Sequence, residues 1–196
     1  MVKVTIADVV VAAPKEGQEP PIDNIVIILY DEAGRRVLPI WVGAFEGESI
    51  AIGLSDLAFP RPLTHRFFSS LLQGIDAQVE EVSVVALKVN TFYGMVKIRC
   101  GKKTREIDAR PSDAIALAIL NNAPILVAEE VLETTGITIP AAAKGAPNRK
   151  GLDSIIKKLE ERNRQIQARY NQPRKPPELS KEDKAKRDAD IAAMFG

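Results

Sequence analysis

The chain has 196 residues, 45% of them hydrophobic and 27% charged, and its formal net charge is +1. This length and composition fit one globular domain with an appendage, and no apolar run approaches the roughly 18 residues of a membrane-spanning helix. The single cysteine, Cys100, excludes both an intramolecular disulfide and a zinc site built from several cysteines of one chain.

The first 42 residues predict neighbouring strands. "VKVTIADVVVA" alternates apolar and polar positions and stops at the Pro- and Gly-rich "PKEGQEPP", and two apolar runs, "NIVIILYD" and "VLPIWV", then flank a tight turn around Gly34. The start of the chain lacks the basic leader and long apolar core of a secretion signal. We therefore expect a cytoplasmic protein.

Two helices are predicted next. "GAFEGESIAIGLSDL" takes up helical spacing, and "RPLTHRFFSSLLQG" predicts a second helix with Thr64 as its N-terminal cap and Gly74 at its end. The apolar face expected for this second helix consists of Phe67, Phe68, Leu71 and Leu72.

The following segment predicts a return to strands. "AQVEEVSVVALKV" is strand-like, and "TFYGMVKIRC" and "REIDA" form a hairpin through "GKKT". A helix starting at Pro111 is apolar from Ala114 to Leu120, which indicates a buried helix, and "PILVAEEVLETTGI" supplies a last strand and a short helix. This order predicts an α+β fold with a mixed, largely antiparallel sheet packed with helices.

Residues 141–196 differ in character from residues 1–140. The first 140 residues carry 13 Lys and Arg against 18 Asp and Glu, whereas the last 56 carry 14 against 8. "LDSIIKKLEERNRQIQARY" has amphipathic helical spacing, and "NQPRKPPELSKEDKAKRDAD" is polar and Pro-rich enough to predict disorder. We predict a domain over 1–140 and a basic tail, helical and partly disordered, over 141–196.

Several standard catalytic motifs are absent from the sequence. There is no Gly-rich phosphate loop, dinucleotide fingerprint, paired-histidine metalloprotease motif or serine nucleophile elbow. The single histidine, His65, excludes mechanisms that need two histidines from one chain.

Three polar clusters remain as candidate sites, and the first is Glu46 with Glu48. Side chains two positions apart on a helix point in roughly opposite directions, so at most one of the two faces inward, and Glu46 is favoured. The alternative is that both glutamates only complement the dipole at a helix N-terminus.

The second cluster is Arg61, Thr64 and His65. Free backbone N–H groups at a helix start, with an arginine fork beside them, suit phosphate oxygens, and a histidine titrates close to neutral pH. The alternative is structural: a capping threonine, a hydrogen-bonded histidine and an arginine paired with a carboxylate.

The third cluster is "DARPSDA", from Asp108 to Ala114. Pro111 suits the first turn of a helix, and Ser112 or Asp113 can accept hydrogen bonds from free backbone N–H groups. Capping does not explain Arg110, which lies at the mouth of an apolar helix and needs a partner. Asp108 or Glu46 could be that partner, and the same arrangement would suit a phosphodiester.

Three segments, "LPIWVGAFEGESIAI", "RPLTHRFFSSLLQGIDAQVEEV" and "LKVNTFYGMVKI…IDARPSDAIALAILNNAPILVAEEVL", together resemble the bifunctional nuclease domain family, formerly a domain of unknown function. The resemblance covers about residues 2–135. It implies a compact α+β domain, a tendency to form homodimers and hydrolysis of DNA and RNA. The positions that match the family's motifs are Glu46, Arg61, Pro62, Thr64, His65, Thr91, Phe92, Asp108, Arg110, Pro111, Ser112 and Asp113.

The resemblance implies a nuclease acting on DNA or RNA. Its catalytic residues would be Glu46, His65, Asp108 and Asp113, and its substrate-binding residues Arg61, Thr64, Arg110 and Ser112. Glu46, Asp108 and Asp113 would offer oxygen ligands to a divalent ion such as Mg²⁺.

Two departures from the family pattern count against this activity. Arg66 and Asn90 stand where the family usually has acidic residues. The alternative is a noncatalytic oligomeric interaction or regulatory module in which the three clusters interlock as a buried network.

Overall fold

In the computed structural model, the described residues are 1–11, 25–55 and 57–140, together with positions 150, 153, 157, 161, 164 and 189. This part of the chain forms eight strands and four helices. The strands are β1 (Val2–Val11), β2 (Ile25–Asp31), β3 (Arg36–Val42), β4 (Ala77–Lys88), β5 (Thr91–Cys100), β6 (Lys103–Ala109), β7 (Ile125–Val127) and β8 (Ile137–Thr138). The helices are α1 (Ala44–Gly53), α2 (Thr64–Gly74), α3 (Pro111–Asn121) and α4 (Glu129–Thr135).

All eight strands belong to one sheet in the order β6-β5-β4-β7-β1-β2-β3-β8. The β4–β7 pair is parallel and every other neighbouring pair is antiparallel. The predicted α+β fold with a mixed, largely antiparallel sheet is therefore confirmed. The short strand β8, which pairs with β3, was not predicted from the sequence.

One face of the β4–β5–β6 region carries the helices and the other faces solvent. The buried residues Val82, Val84 and Val96 lie on the helix side, and α3 packs against β4 and β5. Because successive strand residues point to opposite faces, their neighbours in sequence face away from the helices. This alternation determines which charged side chains of β6 point toward the helices and which point away from them.

Helix α3 is the central helix of the site region. It packs against α1, α2, β4 and β5, and its residues from Ala114 to Ala118 are buried, as predicted for an apolar helix. Gly94 allows its first turn to approach the sheet, because a Cβ at that position would lie 2.8 Å from the Ala109 carbonyl oxygen and 3.0 Å from the Pro111 nitrogen. Gly47 plays the same part for α1, where a Cβ would lie 2.6 Å from the side chain of Ile25.

The predicted apolar face of α2 is only partly buried. Leu72 is 8% exposed, whereas Phe67, Phe68 and Leu71 are 57%, 48% and 49% exposed. The other buried position of α2 is a serine, Ser69. Within the described residues, α2 thus keeps a band of apolar side chains open to solvent.

An ion-pair cluster around the buried Asp31 joins the β2–β3 turn to α4, and we call Asp31, Arg36 and Glu129 the Arg36 cluster. Arg36 lies 2.7 Å from a carboxylate oxygen of Asp31 and 2.7 Å from one of Glu129. The Asp31 side chain is 1% exposed, and its other oxygen accepts the Gly34 N–H. Burial opposes ionisation of Asp31, but the Gly34 and Arg36 hydrogen bonds outweigh it and lower the pKa of this carboxyl below 3.8.

The chain divides into two compact units, Met1–Glu160 and Glu161–Gly196. Of the predicted tail helix, Asp153, Lys157, Glu161 and Arg164 are described, and each is helical and exposed. The apolar positions of that helix and the segment predicted to be disordered lie outside the described residues. No helix in the described part is both long and apolar enough to span a membrane.

Candidate functional site

Four charged or titratable side chains from three helices meet at the N-terminal end of α3, and we call Glu46, His65, Arg110 and Asp113 the Arg110 cluster. Arg110 donates from Nε to one Asp113 oxygen at 2.7 Å and from Nη2 to the other at 3.1 Å. Its Nη1 lies 2.9 Å from Glu46 Oε1. His65 Nε2 lies 3.1 Å from Asp113 Oδ1. Asp113 is therefore the shared partner of an arginine and a histidine that are 45 positions apart in sequence.

Helix α1 supplies Glu46 from its first turn. The expectation that Glu46, rather than Glu48, faces the other motif residues agrees with its contact to Arg110. Glu46 also lies where an acidic side chain complements the helix dipole, so the functional and structural interpretations of this residue hold together.

Helix α2 supplies His65 from its first turn. The capping position belongs to Leu63, which has no side-chain acceptor, so the prediction of Thr64 as the cap is wrong by one residue. The chain reaches this helix through Pro60 and Pro62, and residues that precede proline avoid helical backbone angles. The Nδ1 atom of His65 is buried and has no hydrogen-bond partner among the described residues.

Helix α3 begins at Pro111, as predicted, but neither Ser112 nor Asp113 caps it. Asp113 instead turns to Arg110 and His65. Desolvation raises the pKa of Asp113, yet the hydrogen bonds from those two residues outweigh it, so this carboxyl ionises below its usual pH. Asp113 and Glu46 in turn raise the pKa of Arg110, which keeps the guanidinium charged at every accessible pH.

The structure does not bring Asp108 to this cluster. Asp108 lies on β6 and pairs in register with Met95 on β5. Its side chain therefore points away from the helices, opposite to the side chains of Ile107 and Val96. It is exposed on the solvent face of the sheet. Ser112, the predicted substrate-binding serine, is 6% exposed and thus closed off from a ligand in this structure.

The expected divalent ion does not fit the side chains as they are arranged here. Glu46 and Asp113 both face the Arg110 guanidinium, whose charge repels a cation, and Asp108 lies on the other face of the sheet. Among the described residues, no three His, Cys, Asp or Glu side chains are grouped so that they could hold a metal ion.

A groove beside the cluster contains the predicted Arg61, which precedes α2. It has a volume of about 480 Å³, and His65 is in its wall together with Arg61 and Arg66. In the described part of the chain, neither arginine forms an ion pair. The alternative in which Arg61 pairs with a nearby carboxylate therefore finds no support among these residues. Thr64, which precedes His65 in the chain, is exposed.

One contact between α2 and α3 was not predicted from the sequence. Ser69 donates to the side chain of Asn121 at 3.1 Å, and Asn121 donates to the Leu117 carbonyl at 2.8 Å. Ser69 follows His65 by four positions and Asn121 follows Asp113 by eight, so each pair shares one helix face. This spacing was the available signal. The contact joins α2 to the last turn of α3, whereas His65 meets Asp113 at the first turn of α3.

Comparisons with known proteins identify a family and two similar proteins. A family profile described as the bifunctional nuclease domain matches residues 27–140. Two curated proteins of Mycobacterium tuberculosis are similar, uncharacterized protein MT1877 of strain CDC 1551 and uncharacterized protein Rv1829 of strain H37Rv. Each is 36% identical over 122 residues, which cover 62% of this chain and 73% of the relative.

Proposed function

The chain belongs to the bifunctional nuclease domain family, and from this premise, which indicates a function related to nucleic acids, we propose that it is a nuclease hydrolysing phosphodiester bonds in DNA or RNA at the Arg110 cluster. The observation that carries the proposal is the meeting of Glu46, His65 and Asp113 around Arg110, although they come from three separate helices. A group able to move protons and a fixed cation are thereby held side by side.

Arg110 is the phosphate-binding group of the proposal. Its side chain is 65% exposed even though it contacts two carboxylates. A guanidinium has five N–H donors, so N–H groups on both Nη atoms stay available to a ligand. Because Glu46 and Asp113 fix its orientation, little reorganisation is needed when charge develops on a phosphate oxygen.

His65 is the proton-transfer group of the proposal. In hydrolysis the oxygen of a water molecule bonds to phosphorus, one ester P–O bond breaks, and the departing oxygen takes up a proton. With Nε2–H donated to Asp113, the lone pair of His65 lies on Nδ1 and can accept the proton of the attacking water. Since Nδ1 is buried, this edge of the ring must become accessible when substrate binds.

The charges favour substrate binding through the groove rather than through the cluster alone. With a neutral His65, the two carboxylates outnumber Arg110 by one charge, which repels a phosphodiester. Arg61 and Arg66 add two positive charges from the adjoining groove. The proposal therefore needs these two arginines to overcome the acidity of residues 1–140.

A noncatalytic oligomeric module is the second candidate, and a different observation favours it. Phe67, Phe68 and Leu71 on α2 are about half exposed, and exposed apolar patches mark association surfaces. A homodimer formed through α2 would cover them. In this alternative the Arg110 cluster only fixes the start of α3, which agrees with the buried Nδ1 of His65.

Cleavage of labelled single-stranded RNA and double-stranded DNA by purified protein tests the proposal. The reactions contain Mg²⁺, Mn²⁺ or EDTA, and the variants His65→Gln and Asp113→Asn are first checked for folding by circular dichroism. Each variant is expected to lower the cleavage rate by about 100-fold, as loss of a general acid or base does. Glu106→Gln, on the face of β6 that points away from the helices, is the matched control and should cleave normally.

The outcomes separate the candidates. Cleavage that is undiminished in His65→Gln and Asp113→Asn, or absent from the parent chain, contradicts the nuclease proposal. If the parent chain is also dimeric by light scattering and Phe68→Ser makes it monomeric, the module is supported instead. Loss of activity in both EDTA and Asp108→Asn would support the expected Mg²⁺ site, which needs Asp108 to act from the other sheet face.

A further inference from the structure

The groove beside the Arg110 cluster has features of a ligand site in its own right. It lies between the last turn of α1, Ser55, residues 57–63 and the first turn of α2. Its volume of about 480 Å³ is within the range of roughly 300–1,000 Å³ that small-molecule sites occupy. A cavity of this size holds one small organic unit and no folded partner.

The wall of the groove is divided by chemistry. One part is apolar and includes a half-buried aromatic ring, Phe59, with Ile52, Leu57 and Leu120. Arg61 and Arg66 also line the groove and are exposed, and no acidic residue is among the described residues that line it. An apolar surface with an aromatic ring, next to two arginines, suits a flat ring attached to a phosphate.

His65 connects the groove to the Arg110 cluster. It is in the groove wall, and its Nε2 contacts Asp113 at 3.1 Å. A ligand in the groove therefore lies beside the group proposed to move protons, and the next phosphate along its chain would reach toward Arg110.

We propose that this groove binds one unstacked nucleotide of a single-stranded nucleic acid, with the base against the apolar wall and its phosphate between Arg61 and Arg66. Stacking on an aromatic side chain together with backbone neutralisation by arginine is how single strands are bound without sequence preference. The inference rests on the proposed nuclease function and deepens it, because it assigns the substrate class. A paired base cannot enter without leaving the duplex, which costs free energy.

Fluorescence anisotropy of the full chain with a labelled oligonucleotide of about ten nucleotides tests this inference. Phosphorothioate linkages keep the single strand intact, and the matched duplex and a free mononucleotide competitor complete the set. The variants are Arg61→Gln, Arg66→Gln and their combination, and Ala58→Glu, which introduces a carboxylate at an exposed groove position. Arg105→Gln on β6 and Ala58→Gln are the matched controls.

We expect the single strand to bind at least tenfold more tightly than the duplex. The double arginine variant should bind the single strand about tenfold more weakly and show a shallower salt dependence, by about 0.7 in the logarithmic slope for each lost phosphate contact. Ala58→Glu should weaken binding and Ala58→Gln should not. A mononucleotide should compete only at far higher concentration, because it lacks the neighbouring phosphates.

Three results would overturn the inference: equal affinity for duplex and single strand, unchanged binding in the double arginine and Ala58→Glu variants, or a mononucleotide that competes as well as the strand. Cleavage is measured in parallel so that the two proposals fail separately. If the chain cleaves nucleic acid while the groove variants bind normally, only the groove assignment fails. If the single strand binds as expected without any cleavage that depends on His65, the nuclease proposal fails and the groove remains a single-strand binding site.

Discussion

Two arginines in this protein each hold two carboxylates, and their surroundings differ. In the Arg36 cluster, Asp31 is 1% exposed and Arg36 is 18% exposed, and no histidine takes part. In the Arg110 cluster, the arginine is 65% exposed, and Asp113 also contacts His65. The Asp31–Arg36 pair is therefore sealed, although Glu129 beside it is 49% exposed, whereas the arginine of the Arg110 cluster is open to solvent.

This comparison shows that the identity of the paired residues does not by itself distinguish a structural ion pair from a functional site. An arginine that is shielded from solvent has no room for a ligand. It contributes to stability because it prevents a buried carboxylate from being left unpaired. An exposed arginine contributes little to stability, because water screens it. Under the nuclease proposal, the two carboxylates instead serve to orient the Arg110 guanidinium toward a phosphate.

The largest effect is expected from Arg36→Met. This change keeps the apolar stem but leaves Asp31 buried with only the backbone of Ala33 and Gly34 as partners, so the free energy of unfolding should fall by about 2 kcal/mol. Arg110→Met should lower it by less than about 1 kcal/mol, since its charge is screened by solvent. Urea denaturation followed by circular dichroism measures both, and equal losses would show that the two clusters do not differ in kind.

The pH dependence should sharpen this contrast. The pKa of Asp31 is lowered in the folded state, so its contribution is fully present above the ordinary pKa of 3.8 and is lost as the pH falls through the folded-state value. The stability difference between the parent chain and Arg36→Met should then be constant near neutral pH and shrink below about pH 4. Urea titrations from pH 7 to pH 3 check this, and a difference that stays constant to pH 3 would argue against the lowered pKa.

The fold followed from the sequence because its elements carry local signals. Alternation in "TFYGMVKIRC", the Pro111 start and the Asn122 end of α3 each report a backbone preference of a few residues. The strand order was not predictable, since the parallel β4–β7 pairing joins segments separated by a helix. The exposure of Phe67 and Phe68 on α2 was not predictable from the sequence, because an apolar helix face has the same pattern whether or not the rest of the domain covers it.

The sequence predicted which residues form the Arg110 cluster, but it did not predict how their side chains are arranged. Family resemblance named Glu46, His65, Arg110 and Asp113, yet it also grouped Asp108 with them. Only the strand register shows that the side chain of Asp108 points to the other face. The Arg36 cluster was missed altogether, because a lone Asp and Arg at the two ends of a turn resemble ordinary surface charges.

A smaller effect on stability but a clear effect on activity is expected from Arg110→Lys. An ammonium group is a point charge and cannot contact Glu46 and both Asp113 oxygens at once. We expect the cleavage rate to fall about tenfold, the cost of one charged hydrogen bond, with unfolding nearly unchanged. Arg36→Lys is the mirror control, which should lower stability and leave the activity of the folded protein intact. The reverse pattern would place the functional arginine at Arg36.

The smallest effect concerns the coupling between Glu46 and Arg110. A double-mutant cycle with Glu46→Gln and Arg110→Gln should give about 0.5 kcal/mol at 0.1 M salt, as exposed pairs do, and Glu48→Gln provides the control on the same helix. The coupling should weaken at 1 M salt, where the screening length drops from about 10 Å to about 3 Å. The corresponding cycle for Asp31 and Arg36 should be larger and should hardly respond to salt, because bulk ions do not reach a carboxylate that is 1% exposed. A salt-insensitive Glu46–Arg110 pair would mean that the Arg110 cluster is shielded in solution, and an arginine shielded in this way could not receive a phosphate.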